Sequence, residues 1–265
     1  MSPTPSPQPT HATAADGVRI AHQVRGAGRP LLLLSGQSNS HHWWDPVLAD
    51  FLARFRTITL DYRGTGASDK PDEPYSTEGF AEDVVAVLDH LAVERADVYG
   101  TSMGGRVAQW LAARHPDRVG RLVLGCTSPG GPNGVERDAD VDAALTDRDP
   151  ARARAALVDL MYTPAWTLTH PGPYATLGDP AMPGYARRRH RLASTRHDAW
   201  AVLPDIVAPT LVVHGAEDRF NPTANAALLA ERIPGARLAL LEGARHAYFE
   251  EFRATASPLV LDFLG

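Results

Sequence analysis

Short, continuously apolar runs alternate with segments of helical periodicity through the first half of this chain. That order restricts it to a sheet of mostly parallel strands joined by crossover helices. Residues 18–24, after the turn at Gly17, read as a strand. Residues 31–34 are four consecutive leucines, as suits a strand buried on both faces, and they end at Ser35-Gly36. Residues 44–55 have helical spacing and 57–60 are β-like. Residues 77–91 set Val84, Val85, Val87, Leu88 and Leu91 on one side of an amphipathic helix. Residues 97–99, 103–114 and 122–124 then repeat the order strand, helix, strand.

The alternation stops after Gly125. Residues 128–132, Ser-Pro-Gly-Gly-Pro, are a loop by composition, and 135–200 read as helical pieces interrupted by proline, with no strand pattern. Strand, helix, strand, helix resumes at 210–214, 221–233, 237–241 and 255–263. The sequence therefore predicts one α/β domain built from residues 15–134 and 201–265, with a helical cap at 135–200 inserted into it. Residues 1–14, rich in Pro, Ser and Thr, read as a flexible tail.

With 265 residues, 44% of them hydrophobic, the chain can build one large core. The formal charge of −5 is spread along the sequence without a basic block, which excludes a nucleic-acid groove. The opening residues lack a charged start and apolar stretch, and no run approaches the roughly 18 apolar residues of a membrane span. A soluble cytoplasmic protein with a small-molecule partner is expected. Cys126 is the only cysteine, so an intrachain disulfide is impossible and a thiolate metal cluster is not expected. His41 and His42 are adjacent, a poor arrangement for two ligands to one metal. No cofactor is called for. Nothing in the sequence indicates an oligomeric state.

The sharpest chemical signal is Gly100-Thr101-Ser102-Met103-Gly104, between an expected strand and an expected helix. A serine there occupies a tight, strained turn with its hydroxyl projecting above the sheet, and side chains two positions away would crowd that turn. The helix that follows aims its positive N-terminus at the reacting carbon. A serine nucleophile needs a base, and the base needs an orienting acid. In such sites the order along the chain is serine, acid, histidine. Asp218 lies just past strand 210–214, with Glu217 beside it as an alternative carboxylate. His246 lies in the loop past strand 237–241. His214, at a strand end, reads as structural. All three chosen residues fall beyond the carboxyl ends of parallel strands, where open α/β sheets place their ligands.

Four stretches resemble the α/β-hydrolase superfamily, in the branch of 3-oxoadipate enol-lactonases, small carboxylesterases and cofactor-free haloperoxidases. They are Asp61-Tyr62-Arg63-Gly64-Thr65-Gly66-Ala67-Ser68, Gly100 to Gly105, Val213 to Asp218 and Leu241 to His246. The resemblance implies a mostly parallel central sheet flanked by helices, a cap inserted after the sixth strand, and a triad of Ser102, Asp218 and His246. It also implies an oxyanion hole made by the backbone N–H groups of Met103 and Gln37. Ser35 stands where relatives commonly have histidine, which alters how the loop carrying Gln37 is buttressed.

Serine rather than aspartate at position 102 suits acyl transfer: attack, acyl-enzyme, hydrolysis. The expected activity is hydrolysis of a carboxylic ester or lactone. Two alternatives use the same residues. One is C–C bond hydrolysis of a diketone or perhydrolysis, and the other is a non-enzymatic small-molecule receptor. In the cap, Met161, Tyr162, Trp166, Tyr174 and Tyr185 are candidates for the substrate pocket, or pack the cap itself. Arg187, Arg188, Arg189 and Arg191 form a basic run that reads as a solvated helix face in preference to a site for a substrate carboxylate.

Overall fold

Residues 10–265 are described by a computed structural model. Its eight strands are β1 (Thr10–Thr13), β2 (Arg19–Arg25), β3 (Arg29–Leu34), β4 (Phe55–Leu60), β5 (Ala96–Thr101), β6 (Val119–Gly125), β7 (Thr210–Gly215) and β8 (Arg237–Leu241). They form one sheet in the order β1-β2-β4-β3-β5-β6-β7-β8. The β1–β2 and β2–β4 pairs are antiparallel and every other pair is parallel. The central strands carry the most continuous burial. All residues of β5 and β7 are buried, and β3 is buried from Leu31 to Leu34. β8, at the edge, exposes Leu238 and Leu240.

The chain winds outward from the centre in two directions, β3 to β4 and β5 to β8. The adjacent ends of β3 and β5 therefore flank the topological switch point, where such sheets open a crevice. Helix α2 (Thr77–His90) starts at Ser76, whose hydroxyl accepts the Gly79 N–H at 2.9 Å. Helix α3 (Met103–Arg114) follows β5 directly. The helical spacing of residues 44–55 is met by a 3₁₀ turn, His41–Trp44, and a short α1 (Leu48–Leu52), with Phe55 opening β4 instead of ending the helix.

Four helices lie between β6 and β7: α4 (Ala139–Leu145), α5 (Pro150–Met161), α6 (Pro164–Thr169) and α7 (Gly184–Thr195). The insertion therefore follows the sixth strand, as the resemblance implied. The core closes with α8 (Ala224–Arg232), α9 (Tyr248–Glu251) and α10 (Arg253–Leu264). Among the described residues no helix is long and apolar enough to cross a membrane.

One expectation is corrected. Residues 10–13 of the expected tail are strand β1, paired in register with residues 19–22 of β2. Ala12 is fully buried and the Thr10 hydroxyl meets the His22 ring at 2.9 Å. An edge strand that buries one alanine between polar neighbours has no apolar run to reveal it. The rest of that tail, residues 1–9, lies outside the described residues.

The crossing of α3 on the sheet depends on two glycines. A Cβ on Gly104 would sit 2.1 Å from the Leu34 carbonyl oxygen, and one on Gly100 would sit 2.3 Å from the Gly104 oxygen. Both obstacles are backbone, which a rotamer change cannot relieve. Gly104→Ala should therefore force α3 off β3 and cost roughly 1–3 kcal/mol or more of folding free energy. Urea denaturation of the variant checks this, and a loss below about 0.5 kcal/mol would contradict the packing account.

Candidate active site

Ser102 has φ +54° and ψ −121°, a conformation that L side chains rarely adopt. Hydrogen bonds fix it there. Its N–H donates to the Gly125 carbonyl at 2.8 Å. Its own carbonyl accepts from Gly105 N–H at 3.0 Å and from the Thr127 hydroxyl at 2.7 Å. A strained turn survives only when its surroundings over-determine it, and these bonds, with the glycine contacts above, do so.

Asp218 is 3% exposed and His246 is 1% exposed. The His246 Nδ1 lies 2.7 Å from Asp218 Oδ2, which leaves Nε2 for the cavity whose wall His246 shares with Ser102. The other carboxylate oxygen accepts the N–H groups of Phe220 at 2.8 Å and Asn221 at 2.9 Å. Burial pushes the Asp218 carboxyl up. Its electrostatic pairing with His246 and its contact with His214 outweigh burial and hold the group well below the usual carboxylate range. Glu217 is exposed beside it. Phe220 covers one face of the His246 ring, with centroids 4.7 Å apart.

His214, read from sequence as structural, is fully buried against the acid. Its Nε2 is 2.9 Å from the Asn221 carbonyl, so this nitrogen carries the proton and donates there, and it lies 3.2 Å from Asp218 Oδ2. Its position four residues before Asp218 at a buried strand end was the available signal.

Gln37 follows β3 and lines the same cavity as Ser102, and Met103 opens α3, so its N–H has no acceptor within the helix. With serine at position 35, the loop around Gln37 is held by a set of polar contacts. Ser35 donates to the Asn39 carbonyl at 3.4 Å, and Asn39 Nδ2 donates to the Gln37 carbonyl at 2.8 Å. Ser38 sits at φ +60°, and its N–H donates to His190 Nδ1 at 3.3 Å. His190, on α7 of the cap, donates its other nitrogen to the Arg63 carbonyl at 2.9 Å. The cap grips this loop twice more, through Asp179 N–H to the Ser38 carbonyl at 2.7 Å and Gly178 N–H to Asn39 Oδ1 at 2.8 Å.

The cavity measures about 980 Å³ and opens between cap and sheet. Its cap wall includes Leu145, Leu157, Met161, Leu177 and Leu192, and Trp43 contributes from the sheet side. Of the candidates, Met161 lines this wall, whereas Tyr162, Trp166, Tyr174 and Tyr185 lie outside it and follow the alternative of packing the cap. Tyr162 stacks on Trp166 at 4.5 Å and on Tyr174 at 4.8 Å, and its hydroxyl donates to Glu250 at 2.5 Å. The Tyr185 hydroxyl donates to the Lys70 carbonyl at 2.6 Å. These rings carry the largest apolar faces of the cap and are used to join it to the core. In the basic run Arg189 pairs with Asp72 at 3.1 Å, whereas Arg187, Arg188 and Arg191 are exposed and also line the cavity mouth. His41 and His42 pair with Asp61 at 2.8 Å and Asp45 at 2.6 Å respectively.

Residues 29–252 match the model of the alpha/beta hydrolase fold family, and the chain belongs to that family. It is 35% identical to a putative carbamate hydrolase, RutD, of Variovorax paradoxus, over 93% of this chain and 96% of that one. It is 31% identical to the 2-hydroxymuconate semialdehyde hydrolase of Pseudomonas sp. strain CF600, over 100% of this chain and 96% of the relative. Among solved structures, the enol-lactonase from Burkholderia xenovorans LB400 superposes with a TM-score of 0.81 at 28% identity, covering 96% of this chain and 99% of its own.

Two predictions follow from this geometry. Burial holds His190 down at about 4, against an ordinary value near 6.5. Between these values the unfolded chain binds a proton that the native protein does not, so stability is lost as pH falls from about 6.5 toward 4. His190→Gln removes this group, and the slope of unfolding free energy against pH in that window should become shallower by up to about 1.4 kcal/mol per pH unit. Denaturant titrations at several pH values measure it, and an unchanged slope would contradict the assignment. In the cavity wall, Leu157→Ala or Leu177→Ala should reorder a panel of hydrolase substrates by kcat/KM within about 10–200-fold. Trp166→Ala should lower stability and leave that order alone. A reordering by Trp166→Ala alone would place the pocket elsewhere.

Proposed function

We propose that this protein hydrolyses a carboxylic ester or lactone through an acyl-enzyme on Ser102. The observation that carries this reading is the buried Asp218–His246 pair at 2.7 Å, whose histidine shares a cavity wall with a serine held at φ +54°. His246 Nε2 takes the Ser102 proton as Oγ attacks the carbonyl carbon, and Asp218 stabilises the resulting imidazolium and fixes its tautomer. The oxyanion is received by the N–H groups of Gln37 and Met103, with the positive end of α3 behind them. The imidazolium returns the proton to the leaving oxygen. Water, deprotonated by His246, then attacks the acyl carbon, and collapse of the second tetrahedral species frees the acid and Ser102. Each oxyanion donor of this kind contributes on the order of 10²–10³ in rate.

The enol-lactonase likeness supports a lactone or ester as the scissile group. A second reading, hydrolysis of a C–C bond next to a carbonyl with the same three residues, is supported by the 31% identity to a semialdehyde hydrolase over the whole chain.

A fluorophosphonate should label the protein once, at Ser102, and Ser102→Ala should abolish turnover of simple aryl esters. Asp218→Asn should lower kcat by about 10⁴ because the histidine takes the wrong tautomer, while Glu217→Gln stays within a few-fold of wild type. A screen of aryl esters, enol-lactones and diketones with Ser102→Ala as blank separates the two readings. Folded protein that turns over none of them would favour a receptor and overturn both.

A further inference from the structure

Arg106 lies one helical turn after Ser102 on α3 and lines the same cavity. Residues four apart share a helix face, and helical side chains lean toward the N-terminus, so the guanidinium is carried toward the serine. Three of its five N–H donors are used, and all go to neutral acceptors. These are the Ser194 carbonyl at 2.7 Å, the Ser128 hydroxyl at 3.0 Å and Asn221 Oδ1 at 3.2 Å. Its Nε is buried and has no partner among the described residues. No carboxylate pairs with it there, and residues 1–9 contain no Asp or Glu.

The neighbouring charges do not supply one. Asp142, on the cavity wall, is paired with Arg137 at 3.2 Å, and Glu136 is exposed. Arg187, Arg188 and Arg191 at the mouth add positive charge that attracts anions toward the opening. Burial, reinforced by the charge on Arg137, pulls Arg106 down to about 10, still protonated at neutral pH. The immediate surroundings are polar and fixed: Ser128 accepts from Gln109 through its carbonyl at 3.1 Å, and Asn221 Nδ2 donates to the Cys126 carbonyl at 2.6 Å. A deep guanidinium without a counter-ion is costly for the folded protein, and that cost is offset if the substrate brings the missing carboxylate.

We propose that Arg106 recognises a free carboxylate a few bonds from the scissile carbonyl, so that the substrates are anionic: half-esters of short dicarboxylic acids, or lactones bearing a carboxylate. The proposal rests on the reading of Ser102 as nucleophile, but its test does not use turnover. In the Ser102→Ala background, calorimetric titration with monomethyl glutarate and with dimethyl glutarate compares an anionic and a neutral ligand of one chain length. The anion should bind at least tenfold more tightly. Adding Arg106→Gln should bring the two within about threefold, whereas Arg106→Lys, which keeps the charge, should retain part of the preference. Equal binding of the two ligands by the Ser102→Ala protein overturns the proposal even if no Arg106 variant folds. So does a preference that survives Arg106→Gln, or one that is lost on Arg191→Gln instead, which would move the site to the cap. Failure of Ser102 to react with fluorophosphonate, with the anion preference intact, would remove the nucleophile assignment and leave this one standing.

Discussion

Backbone meets backbone where α3 crosses the sheet, with Gly104 on the Leu34 carbonyl and Gly100 on the Gly104 carbonyl. This contact allows the chain to turn from β5 into α3 within one residue, and that residue is Ser102 at φ +54°. The N-terminus of α3 then stands beside the end of β3, and Ser102 and Gln37 line one cavity. Arg106, on the next turn of the same helix, inherits its position from this crossing. Strain at Ser102, polarity at the helix end and placement of the arginine are thus three results of one close approach.

Asp218 shows how a buried charge is kept. Its two oxygens accept backbone N–H groups on one side and face two histidines on the other. The carboxylate remains ionised although it is buried, because both of its oxygens accept hydrogen bonds. Asn221 serves both this acid, through its N–H, and Arg106, through its side-chain oxygen. The acid and the arginine are therefore held at a fixed separation by a single residue.

The positions of Ser102, Asp218 and His246 were legible because each follows an apolar run of β type. In a parallel sheet, the residues after such runs gather at one edge. The leucines at 31–34 identified β3 for the same reason. Thr10–Thr13 was not legible, since its one inward residue is an alanine. The cap was legible as an insertion but not as a surface. Its helices α4 to α7 are short and separated by prolines, so the 3.6-residue period does not run long enough to say which side of Tyr162, Trp166 or Tyr185 faces inward. Composition marks those residues as buried without saying whether they meet a ligand or another ring. Arg106 carries no signal in the sequence, because an arginine in an amphipathic helix ordinarily points to solvent. The partners that hold its guanidinium at the cavity wall, Ser128, Ser194 and Asn221, are distant in sequence.

The ties between the cap and the Gln37 loop have an evolutionary and engineering consequence. His190, Gly178 and Asp179 hold Ser38 and Asn39, while the main-chain carbonyls of Leu160 and Met161 hold the N–H groups of His246 and Ala247. The insertion is thus not a detachable module that can be exchanged to graft a new specificity. A transplanted cap that lacks these anchors would release the loop of Gln37 and the loop of His246 together. Chimeras should be cut so that residues 178, 179 and 190 travel with the recipient sheet, with diversity confined to the stretch from α4 to the middle of α5.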